Sequence, residues 1–379
     1  MLNDATIKSI RKSLLESMRG DIKLLEDLRN EIGVLANNVR NIFPRSTTSI
    51  SLVATDGGNN KLEFDPFTTN VIRVVDSSNN EYYMDVITPT TPIEQLNNKV
   101  KDDNDGKFNS LRKMMAFLNV NDITQLSPMI RKNSGDRPIS PTWVQVYREL
   151  VEWATLFSIV CEKDFATDTL IVFDGQLRSK VFTGDLFNKL KRGIEDAVEN
   201  HYVKTKRKIY IVGVAKHSKV LDRYKLAMHL DGIMASPNAC YVEVPRGIEQ
   251  KAYVWSEYAR DDNFDGKEVN KFVAGRMFFV KFGNNRYDPI WPIDILSSQV
   301  SDAGAILGYL LADALNGFPV PFYPLSLQKA HNNAALVGFD MDILQNQVIN
   351  SIKEVLGDEG AKIDSYMLVD QDPAAKRYG

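Results

Sequence analysis

The feature that narrows the fold most is a design used twice, an apolar run that delivers an aspartate followed by glycine. Leu170 to Phe173 lead into Asp174 and Gly175 within IVFDGQLRSK. In SLVATDGGNN, Asp56 closes an apolar run ahead of Gly57 and Gly58. Each reads as a buried strand ending in a carboxylate. Two such strands can bring two carboxylates to one sheet edge. Like charges that close repel, so the pair calls for a divalent cation. One or two Mg²⁺ or Mn²⁺ ions held by carboxylates can activate water, stabilise a pentacoordinate phosphorus and neutralise a leaving oxygen. The pair therefore predicts a metal-dependent nuclease with Asp56 and Asp174 as central ligands.

The strands around this pair predict an α/β fold with a mixed sheet. Thr48 to Thr55 reads as the first strand, Asn59 to Phe64 as its continuation and Asn70 to Val75 as its partner. A Ser77 to Asn80 turn then leads into Glu81 to Val86, so the chain opens with an antiparallel meander. A third apolar strand, Lys208 to Ala215, follows the Asp174 strand after a helix over Gly184 to Asn200, which implies a parallel crossover. Cys240 to Val244, Ala252 to Trp255 and Arg276 to Phe282 read as a smaller β-rich addition. No GxGxxG follows the first strand and no GxxxxGK[ST] occurs. Ile7 to Phe43 repeats apolar residues every three or four positions, as in a helix laid over the sheet or one meeting a partner.

Candidate residues for the rest of the site lie on flanking segments. Pro141 to Val160 reads as a helix apolar nearly all round, with a narrow stripe of Gln145, Glu149 and Glu152. A carboxylate on a buried helix needs a partner or a metal; the bland alternative is a thin solvated edge or pairing with Arg148. Lys216, at the end of the third strand, could meet charge developing on a phosphate, or be a solvated strand end. His331 follows the proline-stiffened PVPFYPL segment and could ligate a metal or move a proton. The basic run Lys204, Lys206, Arg207 and Lys208 precedes the third strand, at the edge opposite the acids, and is left out of the site.

Composition bounds the remaining choices. The formal charge is −3, so nucleic-acid contact needs a local basic surface. Cys161 and Cys240 are the only cysteines, without a CxxC pattern, which excludes a cysteine-built zinc site. No apolar run approaches the ~20 residues that span a bilayer. The first residues lack a secretory apolar core, so the expected location is cytoplasmic, with no membrane role.

Taken in order, ATDGG, RELVEW, IVFDGQL, VGVAKHSKV and FYPLSLQKAH resemble the NurA nuclease family, from about Ser49 to about Leu336. The resemblance implies an RNase H-like mixed sheet flanked by helices, its first three strands antiparallel. It implies a manganese-dependent enzyme, with Mg²⁺ as alternative, that digests DNA 5′ to 3′ and cuts single strands. It implies a homodimer working with the hexameric HerA translocase in DNA end resection, or in phage defence. The family's site residues fall on Asp56, Asp174, Lys216 and His331, and its helix acid on Glu152 or Glu149, with Glu152 preferred. Asp56, Glu152, Asp174 and His331 would hold the metal.

The organisation this predicts is an N-terminal helical segment over 1–46 and a nuclease domain over 47–345 with an insertion at about 97–140. A C-terminal helix and tail follow over 346–379. Two rivals use the same residues: a sugar-kinase-like or actin-like ATPase, and a non-catalytic adaptor of a ring ATPase. The first needs a second phosphate-binding glycine turn, and only the one at Asp56-Gly57-Gly58 is visible.

Overall fold

The computed structural model describes residues 4–45, 50–64, 67–101, 109–252, 272–336 and 339–363, with residues 5, 50–60, 63 and 64 as backbone alone. Among the described residues nine strands form one sheet. β2 (Ile50–Phe64), β3 (Phe67–Asp76) and β4 (Glu81–Ile87) make the antiparallel meander. β5 (Asp168–Asp174) pairs parallel with β2, and β6 (Ile209–Val214) parallel with β5. Across these five strands the order is β4-β3-β2-β5-β6, third-second-first-fourth-fifth in their own sequence, which is the RNase H-like arrangement.

The smaller β-rich addition is β7 (Cys240–Glu243), β8 (Gly275–Lys281) and β9 (Ile290–Leu296), with the two-residue β1 (Arg40–Asn41) at its rim. It joins the core sheet because β9 pairs antiparallel with β6. Every residue of β6 is buried, so its free edge has to be covered. The strand predicted over Ala252 to Trp255 is not found at its start. Ala252 ends helix α8 (Arg246–Ala252), and the rest lies outside the described residues.

Strand parity sorts the two cores. Ile171, Phe173, Ile209 and Ile211 face helices α5 (Trp143–Glu162) and α6 (Leu186–Thr205). The same layer takes α2 (Ile93–Lys101) and α3 (Asn109–Leu118), whose apolar sides fill the polar-looking stretch after the meander. Leu170, Val172, Val212 and Val214 face α9 (Ala303–Ala314) and α10 (Leu325–Ala334) on the opposite side.

Helix α1 (Asp4–Ile32) does not lie over the sheet. Only its last turns, at Leu25, Leu28 and Ile32, pack, and they pack on α7 (Lys219–Leu230). Ile7, Ile10, Leu14, Met18, Ile22 and Leu24 are exposed, so the apolar side of its first five turns is uncovered. Among the described residues no helix is long and apolar enough to cross a membrane.

Candidate functional site

The site sits where β2, β5 and β6 run toward their C-terminal edge, the usual place for ligands in open α/β sheets. β5 stops at Asp174, while β2 continues for several residues beside β3. Asp56 therefore does not end its strand. It stands where β2 loses its parallel neighbour. The register pairs Thr55 with Phe173, so the next position, 56, comes abreast of 174. Neighbouring strands lie about 4.8 Å apart. The side chain of Asp56 is outside the described residues.

Asp174 belongs to the α10 side of the sheet. Its Oδ1 accepts from the Tyr323 hydroxyl at 3.2 Å, and Lys216 Nζ stands 3.8 Å from Oδ2. Lys216 also lies 5.8 Å from the centre of the Tyr323 ring. Tyr323 is buried and packs edge-on against Trp291 at 4.9 Å. Lys216 thus holds positive charge beside the carboxylate. Tyr323 was not singled out in the sequence. Its only signal was membership of the stiff PVPFYPL segment.

The chain leaves Asp174 through a tightly built loop. Gly175 has φ +121, a region that favours glycine, and its amide donates to Val214 O at 2.9 Å. The loop then folds back over β6 at Gly213. A Cβ there would stand 2.5 Å from Gly175 O and 2.9 Å from Leu177 N. Arg178 anchors the loop from beneath. It donates to both oxygens of Asp294 at 3.0 and 2.8 Å, and to Glu249 Oε2 at 3.0 Å. All three side chains are shut off from solvent. Burial pushes the Glu249 carboxyl up, against the pull of Arg178 and Arg246.

Beyond this loop opens a cleft of about 1260 Å³. The predicted stripe of α5 lines it: Gln145, Glu149 and Glu152 all reach it, as does Asp174. Glu149 accepts from the Ser179 hydroxyl. Burial raises its pKa, opposed by the Ser179 hydrogen bond and by the charges of Arg148 and Lys180. Glu152 lies 3.3 Å from Arg148, the pairing that the bland reading expected. Trp153 and Phe173 form an aromatic wall, centroids 5.2 Å apart, and Lys180, Lys219 and Arg223 stand on the rim. Ser179 and Lys180 lay inside IVFDGQLRSK but carried no role in the sequence reading.

Both α5 acids come from the face opposite to the one on which Asp174 meets Tyr323. His331 is exposed on the last turn of α10, which packs on β2, β3 and β5. Among the described residues no three of His, Cys, Asp and Glu come together as a group that could hold a metal. The donors on offer at this edge are carboxylate oxygens, which suit a hard divalent cation.

No protein-family model matches the chain, and no curated protein matches it. Solved structures similar to it include the NurA nuclease from Sulfolobus solfataricus, at 12% identity over 94% of this chain and 98% of that one, with a TM-score of 0.39. NurA bound to dAMP and manganese matches at 11% identity over 92% and 98%, with a TM-score of 0.41. NurA with manganese matches at 12% over 92% and 98%, with a TM-score of 0.40.

Proposed function

We propose that this chain is a metal-dependent DNA nuclease. The observation that carries the reading is the register that brings position 56 abreast of Asp174 at the C-terminal edge of an RNase H-ordered sheet. Asp56 and Asp174 would hold Mn²⁺, or Mg²⁺ in its place, with His331 as a further donor from α10 and the glutamates of α5 acting from the cleft. When bound, the ion supplies Lewis acidity and a water of lowered pKa for attack on phosphorus.

The chain's own groups have separable tasks in this reading. Tyr323 fixes the rotamer of Asp174 through its hydroxyl. Lys216 offers a cation to the charge that grows on the phosphoryl oxygens. Glu149, with its raised pKa, can hold a proton within the cleft. The Trp153–Phe173 wall gives an unpaired base an apolar surface, and the lysines and arginine of the rim meet the strand's phosphates. A protein of charge −3 thus carries its positive potential where a strand would enter.

The finer reading is 5′ to 3′ digestion and single-strand cutting by a homodimer, coupled to a HerA-type hexameric ATPase in end resection or phage defence. The uncovered apolar side of α1 supports a protein contact at that helix. The deciding experiment is degradation of labelled single- and double-stranded DNA by the purified chain, with Mn²⁺ and with chelator. Asp174→Asn and Asp56→Asn should each lower the rate at least 100-fold with an unchanged circular dichroism spectrum. Persistence of Mn²⁺-dependent cutting in both variants would overturn the assignment.

A further inference from the structure

A second pocket, of about 600 Å³, lies on the rim formed by β1, β7 and β8 and the start of α9. It shares no lining residue with the cleft. β9 runs antiparallel to β6, so the segment from its C-terminal end to α9, which supplies Val300, Ser301, Ala303 and Gly304 to this pocket, lies away from Asp174. The pocket is therefore not an extension of the candidate active site.

Its lining is cationic by construction. Arg40 comes from β1, Arg246 from α8 and Arg276 from β8, against one lining carboxylate, Glu243. Arg246 is committed to Glu249 and to Gly275 O at 2.7 Å. Arg276 leans on Glu243 at 3.4 Å with both side chains partly exposed. Arg40 has no carboxylate partner among the described residues. The field extends to Lys191 on α6. Burial lowers the pKa of that lysine, Glu195 opposes the shift, and Arg246, Arg192 and Arg276 reinforce it.

One further observation points to a ligand. Tyr241 is 8% exposed and lines the pocket, yet its hydroxyl has no hydrogen-bond partner among the described residues. The ring is buried while the hydroxyl opens to the pocket, where it can donate to a ligand. That hydroxyl sits 3.3 Å from where a Cβ on Gly304 would stand, so the missing side chain leaves it open to the first turn of α9.

We propose that this pocket binds the phosphate of a nucleotide, either a free mononucleotide or the terminal phosphate of a nucleic-acid strand. Guanidinium forks of Arg40 and Arg276 match phosphate oxygens, and Tyr241 donates a third hydrogen bond. The volume suits a group of nucleotide size. A solvated basic rim would not need the tyrosine, and an acidic side chain of a partner protein is the competing occupant.

The test is titration calorimetry of the full chain in chelator, with inorganic phosphate, dAMP, a 5′-phosphorylated oligonucleotide and its unphosphorylated twin, and citrate. A response to dAMP alone of the two nucleotide probes identifies the free mononucleotide. A 5′-phosphorylated oligonucleotide that binds at least tenfold tighter than its twin identifies the strand terminus. In either case Arg40→Ser/Arg276→Ser should weaken binding at least tenfold. Tyr241→Phe, which keeps the ring, should weaken it three- to tenfold with the melting temperature unchanged. Asp174→Asn should bind as the unmodified chain does. Equal binding by the double-serine variant, absence of binding by every phosphate probe, or binding of citrate alone would each overturn the proposal.

Discussion

Arg178→Leu isolates the anchor beneath the Asp174 loop. The guanidinium is 4% exposed, and its partners Asp294 and Glu249 are 0% exposed. In the variant Glu249 keeps Arg246, which donates at 3.0 and 3.1 Å, whereas Asp294 loses the guanidinium paired with both its oxygens. Removing one partner of a buried ion pair costs about 3–5 kcal/mol, because a charge stays buried without compensation. The loss must depend on pH. Glu249 already has a raised pKa from burial, and Arg178 opposes that rise, so the substitution raises it further. A carboxyl whose folded pKa exceeds its unfolded value destabilises above the unfolded pKa, at about 4.3, and stops doing so below it. Urea unfolding followed by circular dichroism should show the full loss at pH 8 and a smaller one at pH 5. Arg178→Leu/Asp294→Leu, which removes the stranded charge, should recover part of it. A loss below about 1 kcal/mol, or one equal at both pH values, would refute the account of the network as a compensated buried charge cluster.

Three other substitutions probe the same region. Gly213→Ala puts a methyl group 2.5 Å from Gly175 O, and overpacking of that kind costs about 1–3 kcal/mol; unfolding should report the loss, and DNA cutting should fall with it because the Asp174 loop must move. Glu149→Gln removes a carboxyl raised mainly by burial, so thermal unfolding should show a gain at pH 7 that fades toward pH 4, while DNA cutting falls. Tyr323→Phe keeps the ring on Trp291 and removes the hydroxyl that donates to Asp174. Stability should fall by about 1 kcal/mol, and the single-turnover rate about tenfold, equivalent to ~1.4 kcal/mol in barrier.

What the sequence disclosed and what it hid follow one physical line. The strands of the meander, β5 and β6 are written in local alternation and apolar runs, which a window of a few residues can read. β9 went unread because Pro292 interrupts its run, although its partners tolerate a residue without an amide donor there. α2 hid behind Asn and Lys, with Ile93, Leu96 and Val100 at helical spacing. α7 carries an open signal, Ser218 as cap followed by Val220, Leu221, Tyr224, Ala227 and Met228. Contacts between distant segments left no such trace. Arg178 and Asp294 are 116 residues apart, and Tyr323 and Asp174 are 149 apart. That positions 56 and 174 could meet at one sheet edge was legible from two similar strand ends, but their parallel pairing is set by the fold. Which face each acid serves was not legible, since a helix can be read as buried without revealing the side of the sheet that buries it. That is why α5 delivers the predicted glutamates to the cleft from one face, while Asp174, which lines the same cleft, takes its hydrogen bond from Tyr323 on the α10 side. It makes the α5 glutamates separable from Asp174 by experiment: substituting either should leave the Tyr323–Asp174 contact intact, and any loss of cutting they cause belongs to the cleft.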